Sequence, residues 1–310
     1  MPSAISGGTR IRTNTPSESA FNALQAANSN IALRQLRLST GKRINSAQDD
    51  VAGYITSRGL AARNGALRSA LNAVGDASNV TSIAQDGLDN INALLTQIKD
   101  AAATAASGAL GTDEKIALAK AAFRLTNQIQ TIVDSTVFGG RQLLDGGFSG
   151  DFVIGFNATN SLLTISVDLT TAVSSSNFNI GGNFLLSTTG QNFAGVTGLS
   201  LASLDSISSS SLGIFSNSSI SSTLTSLSEA LNNVNKVASY LGGVSVRLTS
   251  QSDALKSQIT NYNAAISRIE DADVALEQLE LIKSQFLQQT SLTSLAQSNQ
   301  NPQNFLQLLR

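Results

Sequence analysis

Histidine, cysteine and tryptophan do not occur anywhere in the 310 residues. Without cysteine there are no disulfides, thiolate metal sites or cysteine nucleophiles. Without histidine the chain lacks the commonest general base and the commonest metal ligand. A Ser-His-Asp triad and a zinc metalloprotease motif are therefore both impossible. Charge is scarce and balanced. Twenty Lys and Arg against 21 Asp and Glu leave a net charge of −1, which is no electrostatic footprint for nucleic acid. Only 13% of residues are charged and 5% aromatic, low for a soluble monomer and better suited to a chain largely covered by other chains. Hydrophobic residues make up 41%, enough to bury a substantial core, so wholesale disorder is not expected.

Long apolar runs are also missing. No stretch of 18 apolar residues exists, so no membrane span is expected. The segment Met1–Arg10 lacks the apolar run of a secretory signal, which taken alone points to the cytoplasm. The lack of cysteine, common in proteins outside the cell, pulls the other way.

Charge divides the chain in three. Between Arg141 and Lys236 there is no Lys or Arg, and that stretch is rich in Ser, Thr, Asn and Gly. On either side of it, apolar residues recur with alternating spacings of four and three. The longest stripe is Leu227, Leu231, Val234, Ala238, Leu241, Ser245, Leu248, Ser252, Leu255, Ile259, Tyr262, Ile266 and Ile269. Others are Ala84, Leu88, Ile91, Leu95, Ile98, Ala102, Ala105, and Leu118, Ala122, Leu125, Ile129, Ile132. Weaker ones are Ala20, Leu24, Ala27, Ile31, Arg34, Leu38 near the start, and Ala275, Leu279, Ile282, Phe286, Gln289, Thr293, Ala296 near the end. Such heptad stripes predict long helices packed in a coiled-coil manner. The first and last can pair only if the chain doubles back.

Cap signals agree. Ser46-Ala-Gln-Asp49 fits a capping box, with Asp49 and Asp50 set to complement a helix dipole. Gly111-Thr-Asp-Glu114 breaks one helix and starts another, with Thr112 or Asp113 as its cap. Phe138-Gly-Gly-Arg141 ends the third stripe with a left-handed-permissive pair. The period then changes to two: Phe152, Ile154 and Phe156, a loop at residues 157–161, then Leu163, Ile165, Val167 and Leu169. This predicts a hairpin. Beyond it, residues 178–180, 184–186 and 196–204 suggest a small β-rich region.

Candidate chemistry is thin. The carboxylates Glu270, Asp271, Asp273, Glu277 and Glu280 form a cluster, but without the glycine turn of a calcium loop they read as a solvated face or inter-helix ion pairs. No Gly-Gly pair falls in a phosphate-binding motif. No cofactor or metal is expected. Asn79, Asn157 and Asn217 sit in Asn-x-Ser/Thr triplets, which are common by chance. Nothing here builds an active site, and the paired helical ends are the informative feature.

The run Leu38-Ser-Thr-Gly-Lys-Arg-Ile-Asn-Ser-Ala-Gln-Asp-Asp-Val-Ala-Gly53 resembles the LSSGLRINSAxDDAAG pattern of bacterial flagellins. It carries Arg43, Ile44, Asn45, Asp49 and Asp50. Further matches are Ile83-Ala-Gln85 followed by Leu88, Phe138-Gly-Gly-Arg-Gln-Leu-Leu144 and Leu241-Gly-Gly-Val-Ser-Val-Arg-Leu248. Arg268-Ile-Glu-Asp-Ala-Asp273 resembles SRIEDAD and carries Arg268, Glu270, Asp271 and Asp273. The final Leu295-Ala-Gln-Ser-Asn-Gln-Asn-Pro-Gln-Asn-Phe-Leu-Gln-Leu-Leu-Arg310, with Leu309 and Arg310, resembles the family's ending. The resemblance spans residues 11–170 and 222–310.

The resemblance implies a mainly α fold of long antiparallel helices, formed by paired N- and C-terminal regions, with a small β-rich outer centre. It implies an inner terminal domain from residues 1–45 with 275–310, a helical-bundle and hairpin domain from 46–170 with 222–274, and a short variable surface region at 171–221. Function follows as a subunit of the hollow helical filament, a homopolymer outside the cell. Partners would be an export chaperone at the C-terminal helices, the flagellar type III export apparatus, and cap and junction proteins, with export needing no cleaved signal. Leu24, Ile31, Leu38, Leu88, Ile91, Leu95, Leu255, Ile259, Ile266, Leu279, Ile282 and Phe286 are the expected core and inter-subunit packing residues. Pro16 stands where the family tends to be apolar, so the first helix is expected at or after Ser17. Where the family's receptor-recognised helix carries Arg, Glu and Leu, this chain has Gln97, Asp100 and Ala101, implying weak recognition by the animal toll-like receptor. The alternatives are a hook–filament junction protein, or a minor flagellin whose Ser/Asn-rich middle binds a ligand. The ending and Arg268–Asp273 favour the filament subunit, and no residues carry an enzyme.

Overall fold

The computed structural model describes residues 13–156, 162–169 and 184–308. Five helices dominate: α1 (Thr15–Thr40), α2 (Val51–Ala105), α3 (Thr112–Ser135), α4 (Ile220–Glu270) and α5 (Val274–Leu308). Three antiparallel strand pairs accompany them: β1 (Val137–Phe138) with β2 (Arg141–Gln142), β3 (Ser149–Phe156) with β4 (Leu162–Asp168), and β5 (Asn192–Phe193) with β6 (Val196–Thr197). The chain is mainly α, with long helices and small hairpins. It divides into two units, one of Met1–Gly65 with Thr260–Arg310, the other Ala66–Ile259.

In the unit of Ala66–Ile259 the heptad stripes become core. Ala84, Leu88, Ile91, Leu95, Ile98, Ala102 and Ala105 of α2 are fully buried, as are Leu227, Val234, Leu241, Leu248 and Leu255 of α4, whose intervening stripe positions Leu231, Ala238, Ser245 and Ser252 are half-buried. Each large side chain removed from water this way is worth about 1.5–3 kcal/mol. The α3 stripe differs from its expectation. Ala122 and Ile129 are buried, but Leu118, Leu125 and Ile132 are only half-buried, and Ala119, Thr126 and Val133 turn inward instead. Small residues on that face admit the 3-10 turn Ala202–Ser206, which packs on α3.

Local signals were partly reassigned. Pro16 lies inside the first turn of α1, two residues earlier than expected, because Asn14 caps the helix by accepting from Ser17 N–H. Proline tolerates that turn, where its missing N–H has no partner to lose. The cap of α3 is Gly111, without a side-chain bond, and neither Thr112 nor Asp113. The Gly139–Gly140 pair does not terminate α3, which ends at Ser135. With φ of 58° and 80° it makes the two-residue turn of the β1–β2 hairpin, the conformation that favours glycine twice. Gly87 of α2 permits another close approach: a Cβ there would lie 2.8 Å from Leu144 Cδ1 and 3.1 Å from Thr136 Oγ1.

The hairpin read from alternation is β3–β4, in register from Ser149↔Asp168 to Phe156↔Leu162 with an irregularity at Val153/Gly155. Ile165, Val167 and Leu169 are buried, whereas Leu163 is exposed. The expected loop at 157–161 lies outside the described residues. So do 170–183, including the suggested strand at 178–180.

The rest of the expected surface region differs from the expectation. Phe184, Leu186, Phe193, Leu199, Leu201, Leu204, Ile207 and Phe215 are all buried. Residues 184–186 form no strand, and 196–204 hold only β6 and the start of a 3-10 turn. Polar ties fix the segment to the helices. Thr188 N–H and hydroxyl both donate to Gln130 Oε1 of α3, at 2.9 and 3.1 Å. Buried Lys115 donates from Nζ to Asn217 Oδ1 at 2.5 Å. Asn233 Nδ2 of α4 donates to the carbonyl of Ala194 at 2.9 Å. The segment is mostly turns and irregular backbone, yet its apolar side chains are buried.

Candidate functional site: the terminal helix pair and its joint

Two short connections meet in the unit built from both ends of the chain. After α1, Gly41 adopts φ 69° and closes the helix. The backbone then runs against the α4–α5 turn. Arg43 N–H donates to Glu270 O at 2.6 Å, Ala272 N–H donates to Gly41 O at 2.9 Å, and Lys42 faces Asp271 in an isolated β-bridge. Arg43 adds a side-chain bond from Nη2 to Ile269 O at 2.9 Å, and Asn45 Nδ2 donates to Lys42 O. Ile44 is buried beneath them. The sequence-predicted residues Arg43, Ile44, Asn45, Glu270 and Asp271 are thus brought together.

The capping expectation at Ser46–Asp49 changes in detail. Asp49 Oδ2 accepts from Asn45 N–H, Ser46 N–H and Ser46 Oγ, so it closes the turn before α2. The helix itself is capped by Asp50, whose Oδ1 accepts from Gly53 N–H at 2.9 Å. The N–H groups of Ser46 and then Asn45 hold the Asp49 carboxyl below its ordinary value. Asp273 caps α5, accepting from Ala275 and Leu276 N–H. Arg268 is exposed in the last turn of α4, where a cation complements the helix dipole.

Two acidic residues of the cluster are buried, and both are paired. Glu270 accepts from Lys42 Nζ at 2.7 Å. That bond, followed by the Ser57 hydroxyl, lowers its pKa against the opposing effect of burial. Glu277 accepts from Arg34 Nη1 at 2.8 Å and Arg37 Nη1 at 3.3 Å. Among the described residues no group of three or more His, Cys, Asp or Glu is placed to hold a metal ion. Among the described residues no helix is long and apolar enough to cross a membrane.

Helices α1 and α5 run antiparallel. Besides the Glu277 pairs, Gln288 Nε2 donates to Asn28 Oδ1 at 2.6 Å, Ser17 Oγ to Asn299 Oδ1 at 2.9 Å, and Asn14 Nδ2 to Ser298 O at 2.9 Å. The α1 stripe is at this interface, with Ala20 and Ala27 buried and Leu24, Ile31 and Leu38 half-buried. The α5 stripe is not. Leu279, Ile282 and Phe286 are 60%, 59% and 70% exposed, while Glu277 and Ser284 are 4% and 5% exposed. Ile259 and Ile266 are half-buried. Of the sixteen exposed large hydrophobics among the described residues, eleven belong to this unit, including Phe21, Leu36, Val51 and Ile55. In the other unit, Gln97 and Asp100 are exposed on α2 and Ala101 is half-buried. Leu309 and Arg310 lie outside the described residues.

Sequence reasoning did not foresee the pairing partners of Glu277 or the polar inner face of α5. The signal available was Arg34, the charged break in the α1 stripe.

Comparison with known proteins gives the same regions weight. Residues 11–149 match the bacterial flagellin N-terminal helical region, and residues 224–309 match the bacterial flagellin C-terminal helical region. The chain is 30% identical to a flagellin of Bacillus subtilis over 305 residues, covering 97% of this chain and 100% of that one. It is 30% identical to a flagellin of Halalkalibacterium halodurans, covering 88% and 90%. In structure it is similar to a flagellar hook-associated protein from Vibrio parahaemolyticus, with a TM-score of 0.56 at 14% identity over 72% of this chain and all of that one.

Proposed function

Because this chain belongs to the bacterial flagellin family, and is a structural subunit of the extracellular flagellar filament, we propose that its copies associate through the α1–α5 unit. One observation carries this reading: among the described residues the apolar stripe Leu279, Ile282 and Phe286 is left largely exposed. Apolar area left in water at about 25 cal/mol per Å² favours any neighbour that removes it. A second copy is the occupant, since a filament subunit meets mainly itself. On this reading Leu24, Ile31 and Leu38 pack within a subunit, and Leu279, Ile282 and Phe286 pack between subunits.

The finer assignments are part of the same proposal. Residues 1–45 with 275–310 form the inner tube, and 46–170 with 222–274 the layer around it. The arginine, asparagine and carboxylate motif at 43–50 and 268–273 holds the joint between connections. A chaperone covers the exposed α5 face before export, the type III apparatus exports the chain without a cleaved signal, and junction and cap proteins bound the polymer. Receptor recognition at Gln97, Asp100 and Ala101 is weak, because an Arg anchor of the kind that dominates interfaces is replaced. Flagellin relatives of nearly full length support a filament subunit over a junction protein, since the hook-associated likeness is one of fold.

Electron microscopy of the purified chain under polymerising conditions tests this. Long hollow tubes are expected. Only short collars, or no polymer from a folded chain, would overturn it.

A further inference from the structure

The apolar stripes of α1 and α5 do not meet, although their pattern alone would pair them. Counting about 100° per residue, Leu279, Ile282 and Phe286 lie roughly 140–200° round α5 from Glu277. The face that α1 covers instead carries Glu277, Ser284, Gln288, Ser291 and Ser298, with Leu281 and Leu295. Arg34 stands in the α1 stripe where Glu277 arrives, and Arg37 reaches the same carboxylate.

We propose that the Arg34–Glu277–Arg37 clamp is an orientation device: it selects the polar face of α5 for α1 and keeps the apolar face available to a second copy of the chain. This rests on the reading of that face as an inter-copy surface.

The competing arrangement is an α5 rotated by about half a turn. It would bury Leu279, Ile282 and Phe286 against Leu24, Ala27 and Ile31, taking from water within one chain the surface that assembly uses. It would also leave the Arg34 guanidinium in an apolar seam with no carboxylate, and an unpaired buried charge is costly. Arg34 thus penalises the wrong face and Glu277 rewards the right one. The clamp is not built for strength. It sets two cations on one carboxylate, and the Nε–H groups of both arginines are buried without an acceptor among the described residues. A polar residue that fixes pairing at some expense of stability is the same device that sets register in coiled coils.

The chain's lack of cysteine makes the test clean. Two full-length double variants, Ile31→Cys with Ser284→Cys and Ile31→Cys with Ile282→Cys, report the observed and the rotated face. In pelleted filaments the first pair is expected to oxidise at least ten-fold faster than the second. Arg34→Leu with Glu277→Leu is expected to reverse that preference and lower filament yield at least ten-fold. Arg34→Glu with Glu277→Arg, which exchanges the charges, is expected to restore both. Equal oxidation of the two pairs, wild-type yield and preference without the clamp, or no rescue by the exchange would each overturn the proposal. If the unaltered chain formed no filaments, the assembly reading would fail, and the cross-link preference in the soluble chain would still decide the clamp.

Discussion

Lys42 donates to the buried carboxylate of Glu270 at 2.7 Å, tying the residues after α1 to the last turn of α4. The folded pKa of Glu270 lies below its ordinary 4.5, so the charged form is the one the fold favours. Its contribution is present above that ordinary value and is lost as pH falls through the lowered one. The same sign holds for Asp49, lowered from 3.8. Lys42 is about half exposed, so solvent weakens the pair. Glu270→Gln should therefore cost on the order of 1 kcal/mol at pH 7 and less at pH 3. Thermal melts of both chains at the two pH values check this; an equal cost at both would show that the charge is not what matters.

The segment 184–219 is expected to be intolerant of truncation at its anchors. Phe193 and Phe215 are each 1% exposed. Replacing either with alanine should cost about 3–5 kcal/mol, the usual toll for emptying a packed aromatic site. Denaturant titration of each variant measures it. A loss under about 1 kcal/mol would return this segment to the status of a surface loop.

Asn233 holds the one non-glycine residue with positive φ among the described residues. Ala194, at φ 51°, shares the β5–β6 turn with Gly195, and its carbonyl accepts from Asn233. Asn233→Ala leaves that buried carbonyl unpaired and should destabilise by about 1–3 kcal/mol. Protease cleavage between residues 184 and 200 should rise with it. Unchanged stability and cleavage would remove Asn233 from the account.

The terminal pair is marginal by itself. Among the described residues, α1 buries only Ala20 and Ala27, and α5 buries only Glu277 and Ser284. Such contacts offset little of the roughly 1–2 kcal/mol per residue that ordering costs, and isolated helices of this kind gain most of their stability from packing. Amide exchange within residues 21–38 and 279–295 should be faster in the soluble chain, where the pair forms but opens often, than in filaments, where neighbouring copies hold it closed. Strong protection before assembly would separate folding from polymerisation.

The sequence carried much of this fold because its helices are long and their stripes regular. Ala84 to Ala105 is buried at every expected position, since a helix covered by its neighbours leaves its pattern in plain view. Of the motif stretches at 43–50 and 268–273, legible as two separate runs, residues 43 and 269–272 meet at the joint. Three things were not legible. The face of α5 that meets α1 is decided by one carboxylate against two arginines, which periodicity does not weigh. The Gly139–Gly140 pair allows a helix end or a hairpin turn, and only the partner strand chooses between them. The 184–219 cover alternates with neither helical nor strand period, because side chains in turns and 3-10 segments bury one at a time.

The claim that α5 keeps an apolar face for its neighbours is tested most directly by side-chain oxidation with hydroxyl radicals, read by mass spectrometry on soluble chain and on filaments. Leu279, Ile282 and Phe286 should oxidise readily in the soluble chain and become protected at least five-fold in filaments, while Leu88 and Leu95, already buried, change little. Equal oxidation of Phe286 in the two states would show that no neighbour covers this face, and would contradict the account.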